Sequence, residues 1–354
     1  MQSRWIALFL LLVLLCGCAA SPESREPSET RSFTDDCGRT VTIPETVTKI
    51  AVTGPLSQIY VLPLGGDLLV GHAGLTEAMQ AYLPEELAQL PELGQLYGGK
   101  GTMDPEALLN AAPQLVIDLG EPKDSMAEDL DKLTEQTGIP FLHIDATVEA
   151  APRAYRKLGA LLGRQEQAEE LALWCEKTLA DIDSLMARVD ADGARKSLVY
   201  CLGDKGLNVL AETSFHAETL NLLADNAARP EQAVASGAGN EIDMEQLMLW
   251  DPDVVIFAPD SIGLAAGQEP AWQQLRAVKN GSLYLTPEGP YGWLASPPSV
   301  QRYLGMLWLA ALLYPEYTNF DLQTQVTEYY QLFYGYSLTD EDYASLTADA
   351  LPSR

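Results

Sequence analysis

Glu106 and Glu245 occupy the same place in two copies of one sequence pattern, 139 residues apart. The first copy runs Met103-Asp104-Pro105-Glu106-Ala107-Leu108-Leu109-Asn110-Ala111-Ala112-Pro113 and then Leu115-Val116-Ile117. The second passes through Ile242, Asp243, Glu245, Leu247, Trp250, Pro252 and Asp253 into Val254-Val255-Ile256. In each, an Asp stands two before the Glu, a Pro follows seven after it, and an aliphatic run begins two beyond the Pro. A matched pair of carboxylates can engage opposite charges on a partner, giving steering and register. A carboxylate in the first turn of a helix can equally do no more than favour the positive end of the helix dipole.

Other residues could meet a ligand. Tyr97, Tyr291 and Trp293 could stack on a planar chelate or macrocycle, and Lys100 and Arg302 could neutralise an anionic complex. His72 closes a predicted strand and could reach a cleft. His143 lies within an apolar strand and reads as a satisfied buried imidazole, while His216 falls in the first turn of a helix. The three histidines share no metal-binding spacing. A receptor for a naked ion would need several His and carboxylates converging on it, whereas a metal already wrapped by a chelator would not. The chain has no G-x-S-x-G, H-E-x-x-H or G-x-x-x-x-G-K-[ST] motif. Gly98-Gly99-Lys100-Gly101-Thr102 has neither the spacing nor the preceding strand of a phosphate loop. An enzyme is therefore not expected; a carboxylate pair of glycosidase type on a cell-surface hydrolase is the alternative of a different class.

The elements that must hold these residues alternate strand and helix. A hairpin is expected over Phe33–Pro44, followed by strands over Lys49–Thr53, Asp67–Val70, Leu115–Leu119 and Pro140–Ile144. Helices fall between them, which gives a parallel sheet covered on both faces. Strand signals stop between Val148 and Val189, where two helices divide at Gly163. The second, Gln165–Val189, carries one apolar face through Ala168, Leu171, Ala172, Cys175, Leu179, Ile182 and Leu185. At 1.5 Å per residue it would be roughly 37 Å long, enough to brace two lobes. Strand–helix alternation resumes at Ser197–Leu202. Ten of the fifteen tyrosines lie beyond Gly281, among helices expected to pack the second lobe. Recurrence of the Glu106 and Glu245 units implies two similarly built lobes with a cleft between them. The predicted fold is α/β: two three-layer lobes with parallel sheets, at 33–147 and 191–354, joined through 148–190 by a single long backbone helix. Ligands of open α/β sheets sit beyond the carboxyl ends of strands. That places Gly54–Ser57, Gly71–Gly74, Gly120-Glu121, Asp145, Gly203-Asp204, Pro259-Asp260 and Tyr291–Trp293 on the cleft rim.

The N-terminus reads as a secretory signal. Arg4 precedes Trp5–Leu15, an unbroken apolar run of 11 residues, too short to span a bilayer. Leu15-Cys16-Gly17-Cys18 has the form of a bacterial lipobox, so residues 1–17 would be removed and Cys18 acylated; the alternative is an ordinary cut near Ala19 or Ala20. Residues 18–32, rich in Ser, Pro and Glu, form a tether. Cys37, Cys175 and Cys201 are isolated; free thiols and a bridge from Cys37 to either of the others both fit. The net charge is −28, and −29 once Arg4 leaves with the signal, which argues against a nucleic-acid partner.

Several motifs now coincide with one family. They are Asp36-x-Gly38-Arg39-x-Val41-x-Ile43-Pro44, Lys49-Ile50, Pro91-x-Leu93-Gly94, the Glu106 unit, Leu158-Gly159, Leu162-Gly163, Ala168-Glu169, the Glu245 unit, Trp272, Ala277-Val278-Lys279 and Tyr284. In this order they resemble the helical-backbone solute-binding proteins of ABC importers that take up ferric siderophores, haem, cobalamin and related chelates. Gly289-Pro290-Tyr291-Gly292-Trp293, Ser296-Pro297-Pro298-Ser299 and Leu313-Tyr314-Pro315-Glu316 resemble an iron-complex branch of it. The resemblance implies a monomeric receptor, lipid-anchored outside the cytoplasmic membrane and without a resident cofactor. It would hold a ferric siderophore or similar chelate, with cobalamin, haem or a nickel chelate as alternatives. It implies partners in an ABC permease and its ATPase, with Glu106 and Glu245 docking onto permease arginines. Tyr97, Lys100, Tyr291, Trp293, Arg302 and His72 are its expected ligand contacts.

Overall fold

The computed structural model describes residues 29–96, 101, 103–235 and 237–352. Cys18, Tyr97 and Lys100 lie outside the described residues. An antiparallel hairpin, β1 (Thr30–Thr34) and β2 (Thr40–Pro44), opens the chain. The first sheet is parallel, ordered β3 (Ile50–Val52), β4 (Leu115–Gly120), β5 (Phe141–Asp145). Helix α1 (Pro55–Gly65) follows β3, α2 (Pro105–Ala111) precedes β4, and α3 (Met126–Thr137) joins β4 to β5. The strand expected over Asp67–Val70 reduces to a 3-10 turn and a single bridge between Ile50 and Leu69. Helices α4 (Ala151–Leu162) and α5 (Gln165–Ala191) then carry the chain across. Gly163, in the left-handed region at φ 72°, makes the break between them.

The second sheet is built on β6 (Ser197–Leu202), with β10 (Val254–Phe257) and then β11 (Leu283–Leu285) parallel on one side. On its other side come β7 (Asn208–Val209), β8 (Asp225–Asn226) and β9 (Asn240–Glu241). Helices α6 (Glu218–Leu223), α7 (Met244–Trp250), α8 (Arg302–Leu313), α9 (Leu322–Tyr334) and α10 (Asp340–Thr347) complete the chain. Helix α8 begins at Arg302, beyond Pro297-Pro298, since a proline disfavours the helical region for the residue before it.

The period-two alternation of the strands explains the layering. In β4, Leu115, Ile117 and Leu119 face inward and Val116 faces outward; in β6, Leu198, Tyr200 and Leu202 face inward, Val199 and Cys201 outward. The outward faces form two separate cores, one per lobe. The inward faces merge with α5 into one continuous core that spans both lobes. Helix α5 is unbroken over 27 residues, roughly 40 Å, and buries Ala168, Leu171, Ala172, Trp174, Cys175, Ile182 and Leu185.

The C-terminal aromatics do not serve the second lobe alone. Phe333 of α9 packs edge-on to Tyr155 of α4 (5.8 Å between centroids) and Trp174 of α5 (5.4 Å), while Tyr329 and Phe333 stack at 4.2 Å. Helix α9 also packs against α1 of the first lobe. Aromatic side chains are long enough to bridge layers, so this wedge braces both halves from behind. Cys37, Cys175 and Cys201 are free thiols, the last two buried, and burial pushes their thiols well above the ordinary range. Among the described residues, no helix is long and apolar enough to cross a membrane.

Candidate functional site

A cleft of about 770 Å³ opens between the lobes. Its floor comes from the first lobe, where β3 ends at Thr53-Gly54 and β4 ends at Gly120-Glu121. Helix α1 starts here with Gly54 as N-cap and no capping side chain; Pro55 has no N–H. The first helical bond is Gln58 N–H to Gly54 O at 3.0 Å, so the N–H groups of Leu56 and Ser57 precede it, at the end of the helix that meets the cleft. An N-terminus of this kind favours negative charge. Lys123 and Glu121 stand at the rim. Leu56, Met79, Met126, Phe215, Pro297 and Pro298 make the larger part of the wall apolar.

A buried polar network holds the floor. Ser57 Oγ accepts from Leu119 N–H at 2.8 Å and lies 3.0 Å from Thr53 Oγ1, which donates to Asp118. The other Asp118 oxygen is 2.6 Å from His143 Nδ1, and His143 Nε2 is 3.2 Å from Asp145. Burial acts to lower the His143 pKa, but the hydrogen bonds and charges of Asp118 and Asp145 prevail and raise it above the ordinary value of 6.5. The expected satisfied imidazole is therefore present, with both nitrogens paired to carboxylates that favour its charged form. A raised His pKa contributes stability that is fully present below the unfolded value and fades as pH rises through the folded one. His143→Gln should thus cost about 1.5–3 kcal/mol under mildly acidic conditions. The melting-temperature gap to the wild type should narrow at alkaline pH; a gap independent of pH would contradict the charged pair.

The second lobe supplies the facing wall through Phe215, His216, Ala235, Gly237, Ala238, Ser296, Pro297 and Pro298. Ser214 caps the turn Phe215–Ala217 by accepting from His216 N–H. His216 Nδ1 donates to Ala295 O at 2.7 Å, since a carbonyl can only accept. Burial, together with the Arg302 charge, lowers the His216 pKa against the pull of that carbonyl, which keeps the ring neutral. A Cβ on Gly237 would come within 2.7 Å of His216 Nε2, so only glycine leaves the ring its place.

The structure relocates most expected ligand contacts. Tyr291 and Trp293 are buried (1% and 0% exposed) and do not line the cleft. Tyr291 OH instead accepts from Gln58, and its backbone O accepts from Gln301. Arg302 is fully buried: it pairs with Glu218 at 2.5 Å, donates to Ser299 O and Ala146 O, and stacks 4.6 Å over Phe215. Tyr291 and Arg302 thus reach across to the first lobe, and Trp293 is enclosed in the inner core. His72 pairs through its backbone with Pro91 and Leu93, its Nδ1 accepts from Gly74 N–H, and it lies off the cleft. Gly71, Asp145 and Gly203 are likewise not on the cleft wall, and Pro259 lines a separate cavity of about 260 Å³. What the sequence reading did not place at the cleft are wall residues in turns and loops: Phe215-His216, Ala235, Gly237-Ala238 and Ser296–Pro298. The Gly237-Ala238-Gly239 run was the available signal in the sequence.

The repeated units match closely. Helices α2 and α7 each have seven residues, are capped by Asp104 and Asp243, and end in a left-handed residue, Ala112 or Asp251, before Pro. Glu106 and Glu245 both occupy the second helical position and are exposed. Leu108 and Leu247, two residues on, are buried; Leu109 and Met248, three on, are 49% and 40% exposed. A shallow concavity of about 620 Å³, lined by Glu231, Glu241, Asp243 and Glu245, adjoins α7.

Comparison with known proteins agrees with this construction. Residues 52–290 match the family described as periplasmic binding protein. The chain is 25% identical over 348 residues to the molybdate-binding protein MolA of Haemophilus influenzae, covering 91% of this chain and 95% of that one. It is 22% identical over 300 residues to the Fe(3+)-citrate-binding protein YfmC of Bacillus subtilis, covering 80% and 89%. Among solved structures, an ABC transporter solute binding protein from Sulfurospirillum deleyianum superposes with a TM-score of 0.80 at 28% identity, over 90% of this chain and 99% of that one. The chain belongs to the periplasmic binding protein family and is an ABC transporter substrate-binding protein of two-lobe α/β fold.

Proposed function

We propose that this protein captures an anionic metal chelate, best a ferric ion held by an organic chelator such as citrate or a siderophore, and delivers it to a membrane permease. The cleft carries this reading: mostly apolar walls face a helix N-terminus. Among the described residues, no group of three or more His, Cys, Asp or Glu could hold a bare ion. A ligand suited to it brings its own metal donors, an organic framework for the walls and negative charge for the floor. Glu106 and Glu245, with Leu109 and Met248 beside them, form the permease-docking face in this reading. Acylation at Cys18 would anchor a monomeric receptor outside the membrane.

A bare oxyanion is the second reading, favoured by the same helix N-terminus and by the likeness to a molybdate-binding protein. Isothermal titration separates the two, with ferric citrate, a ferric siderophore, haemin, cobalamin and molybdate as ligands. Micromolar or tighter binding of a ferric chelate, with molybdate far weaker, is expected. Tight molybdate binding with no response to any iron complex would replace the chelate by the oxyanion.

A further inference from the structure

The cleft floor contains a carboxylate where an anionic ligand would least tolerate one. Asp118 of β4 lines the cleft, 3% exposed, beside the N-terminal residues of α1. Both of its oxygens are engaged from within the protein: one accepts from Thr53 Oγ1, and the other lies 2.6 Å from His143 Nδ1. His143 itself is fully buried and does not line the cleft. An uncompensated buried carboxylate repels a neighbouring anion far more strongly than one in water does.

The charged groups packed around His143 leave Asp118 to it. In the turn between β1 and β2, Asp35 accepts from His143 N–H at 3.4 Å and pairs with Arg39 at 2.6 Å. Asp36, beside it, pairs with Lys157 of α4 at 2.6 Å. Asp145 lies 3.2 Å from His143 Nε2 and pairs with Arg153 of α4 at 3.2 Å. From α3 the exposed Asp131 joins only through Arg39, at 2.7 Å. Burial, and then the Asp35 charge, push the Cys37 thiol up to about 11, so it stays uncharged. Arg39, Lys157 and Arg153 thus answer Asp35, Asp36 and Asp145, and the imidazolium answers Asp118.

We propose that His143 is a positioning residue for ligand capture: without touching the ligand, it cancels the Asp118 charge beneath the cleft floor, so that an anion can settle against the N-terminus of α1. This role rests on the anionic-ligand reading above, for a chelate or an oxyanion alike. Capture then weakens once His143 gives up its proton. Burial favours that loss, but the hydrogen bonds and charges of Asp118 and Asp145 delay it to above 6.5. By linkage, a bound anion raises the His143 pKa in turn. His216, the histidine in the facing wall, is lowered from 6.5 and so titrates below this window.

The test is calorimetry from pH 6.5 to 9.5 on wild type, His143→Gln and Asp118→Asn, with ferric citrate, an anionic ferric siderophore and molybdate as probes. Glutamine can still donate to residue 118 and asparagine can still accept, but neither carries charge. The double variant, which lacks the titrating pair, reports the pH response of each probe itself, and a cooperative melting transition checks folding. At pH 6.5 His143→Gln should bind anions about tenfold more weakly than wild type, and the gap should close as pH rises. Asp118→Asn should bind at least as tightly as wild type throughout, and more tightly at the alkaline end. His143 is one of three histidines, so NMR can follow its ring; saturation with molybdate or gallium citrate should move its titration upward. The Asp118→Asn and NMR readouts stand even if His143→Gln does not fold. Equal affinity of His143→Gln and wild type at pH 6.5, or a loss of the same size at every pH, would overturn the role. So would weakened binding by Asp118→Asn, or a bound anion that leaves the His143 titration in place. Binding of none of the three probes by wild type would instead overturn the anionic-ligand reading itself.

Discussion

Arg302→Met is expected to lower the melting temperature by roughly 10 °C. The guanidinium is fully buried and joins three parts of the molecule: Glu218 of α6, Ser299 before α8, and Ala146, where the chain leaves the first lobe. Glu218 also accepts from Val148 N–H at 3.0 Å, and Tyr303 donates to Val148 O at 2.7 Å, so one knot ties both lobes to the start of the connecting helices. Methionine fills most of the space but takes the opposite charge from Glu218 and the guanidinium donors from three carbonyls, those of Ser299, Ala146 and Phe215. Breaking a buried pair from one side costs about 3–5 kcal/mol, and a domain of this size loses roughly 2–4 °C per kcal/mol. Arg302→Met combined with Glu218→Leu should cost much less than the sum of the single changes, because no charge is left unpaired. Additive costs, or a loss below about 1 kcal/mol for Arg302→Met, would mean that the pair is not the tie described. A Tm unchanged but ligand affinity abolished would restore Arg302 to the ligand site.

The second large effect concerns transport. Glu106→Ala with Glu245→Ala should leave ligand affinity unchanged, since neither residue lines the cleft. Uptake by cells carrying the permease should fall roughly a hundredfold or more, because two close interfacial charge pairs contribute about 3 kcal/mol or more together. Each single variant should fall between wild type and the double. The difference between wild type and the double variant should shrink at high salt, where exposed pairs are screened. The carboxylates occupy equivalent helical positions on the two lobes, yet their surroundings differ, with the acidic concavity adjoining only Glu245. Weakened ligand binding in the purified double variant would contradict a docking role.

The lobes, the repeat and the strut were legible because each is written in periodicity. Val116 and Val199 interrupt inward-facing runs at the place a two-layered strand requires, and the apolar face of α5 continues without a break. Asp104 and Asp243 announce their helices as caps, and Pro113 and Pro252 close them. The cleft was less legible. Its first-lobe floor, Gly54–Ser57 and Gly120-Glu121, follows from the rule that strand ends carry ligands. Its second-lobe wall does not, because turns and loops at 215–216, 235, 237–238 and 296–298 supply it instead of β6 and β10. Tyr291, Trp293 and Arg302 look the same in sequence whether they stack on a ligand or close a core. What decides between these is α9, whose aromatics lie across the back of both lobes and bury that region. The same wedge, with the continuous inner core, leaves little room for a wide hinge motion, so ligand capture should proceed with modest tilting of the lobes.

Hydrogen–deuterium exchange of the intact protein, with and without saturating ferric citrate or ferric siderophore, tests the central claim most directly. Protection is expected at 53–58, 118–123, 215–217 and 237–238, segments that face each other across the cleft, with α5 unchanged. Protection confined to the concavity beside Glu245, or none at all with ligand bound, would contradict a chelate seated between the lobes.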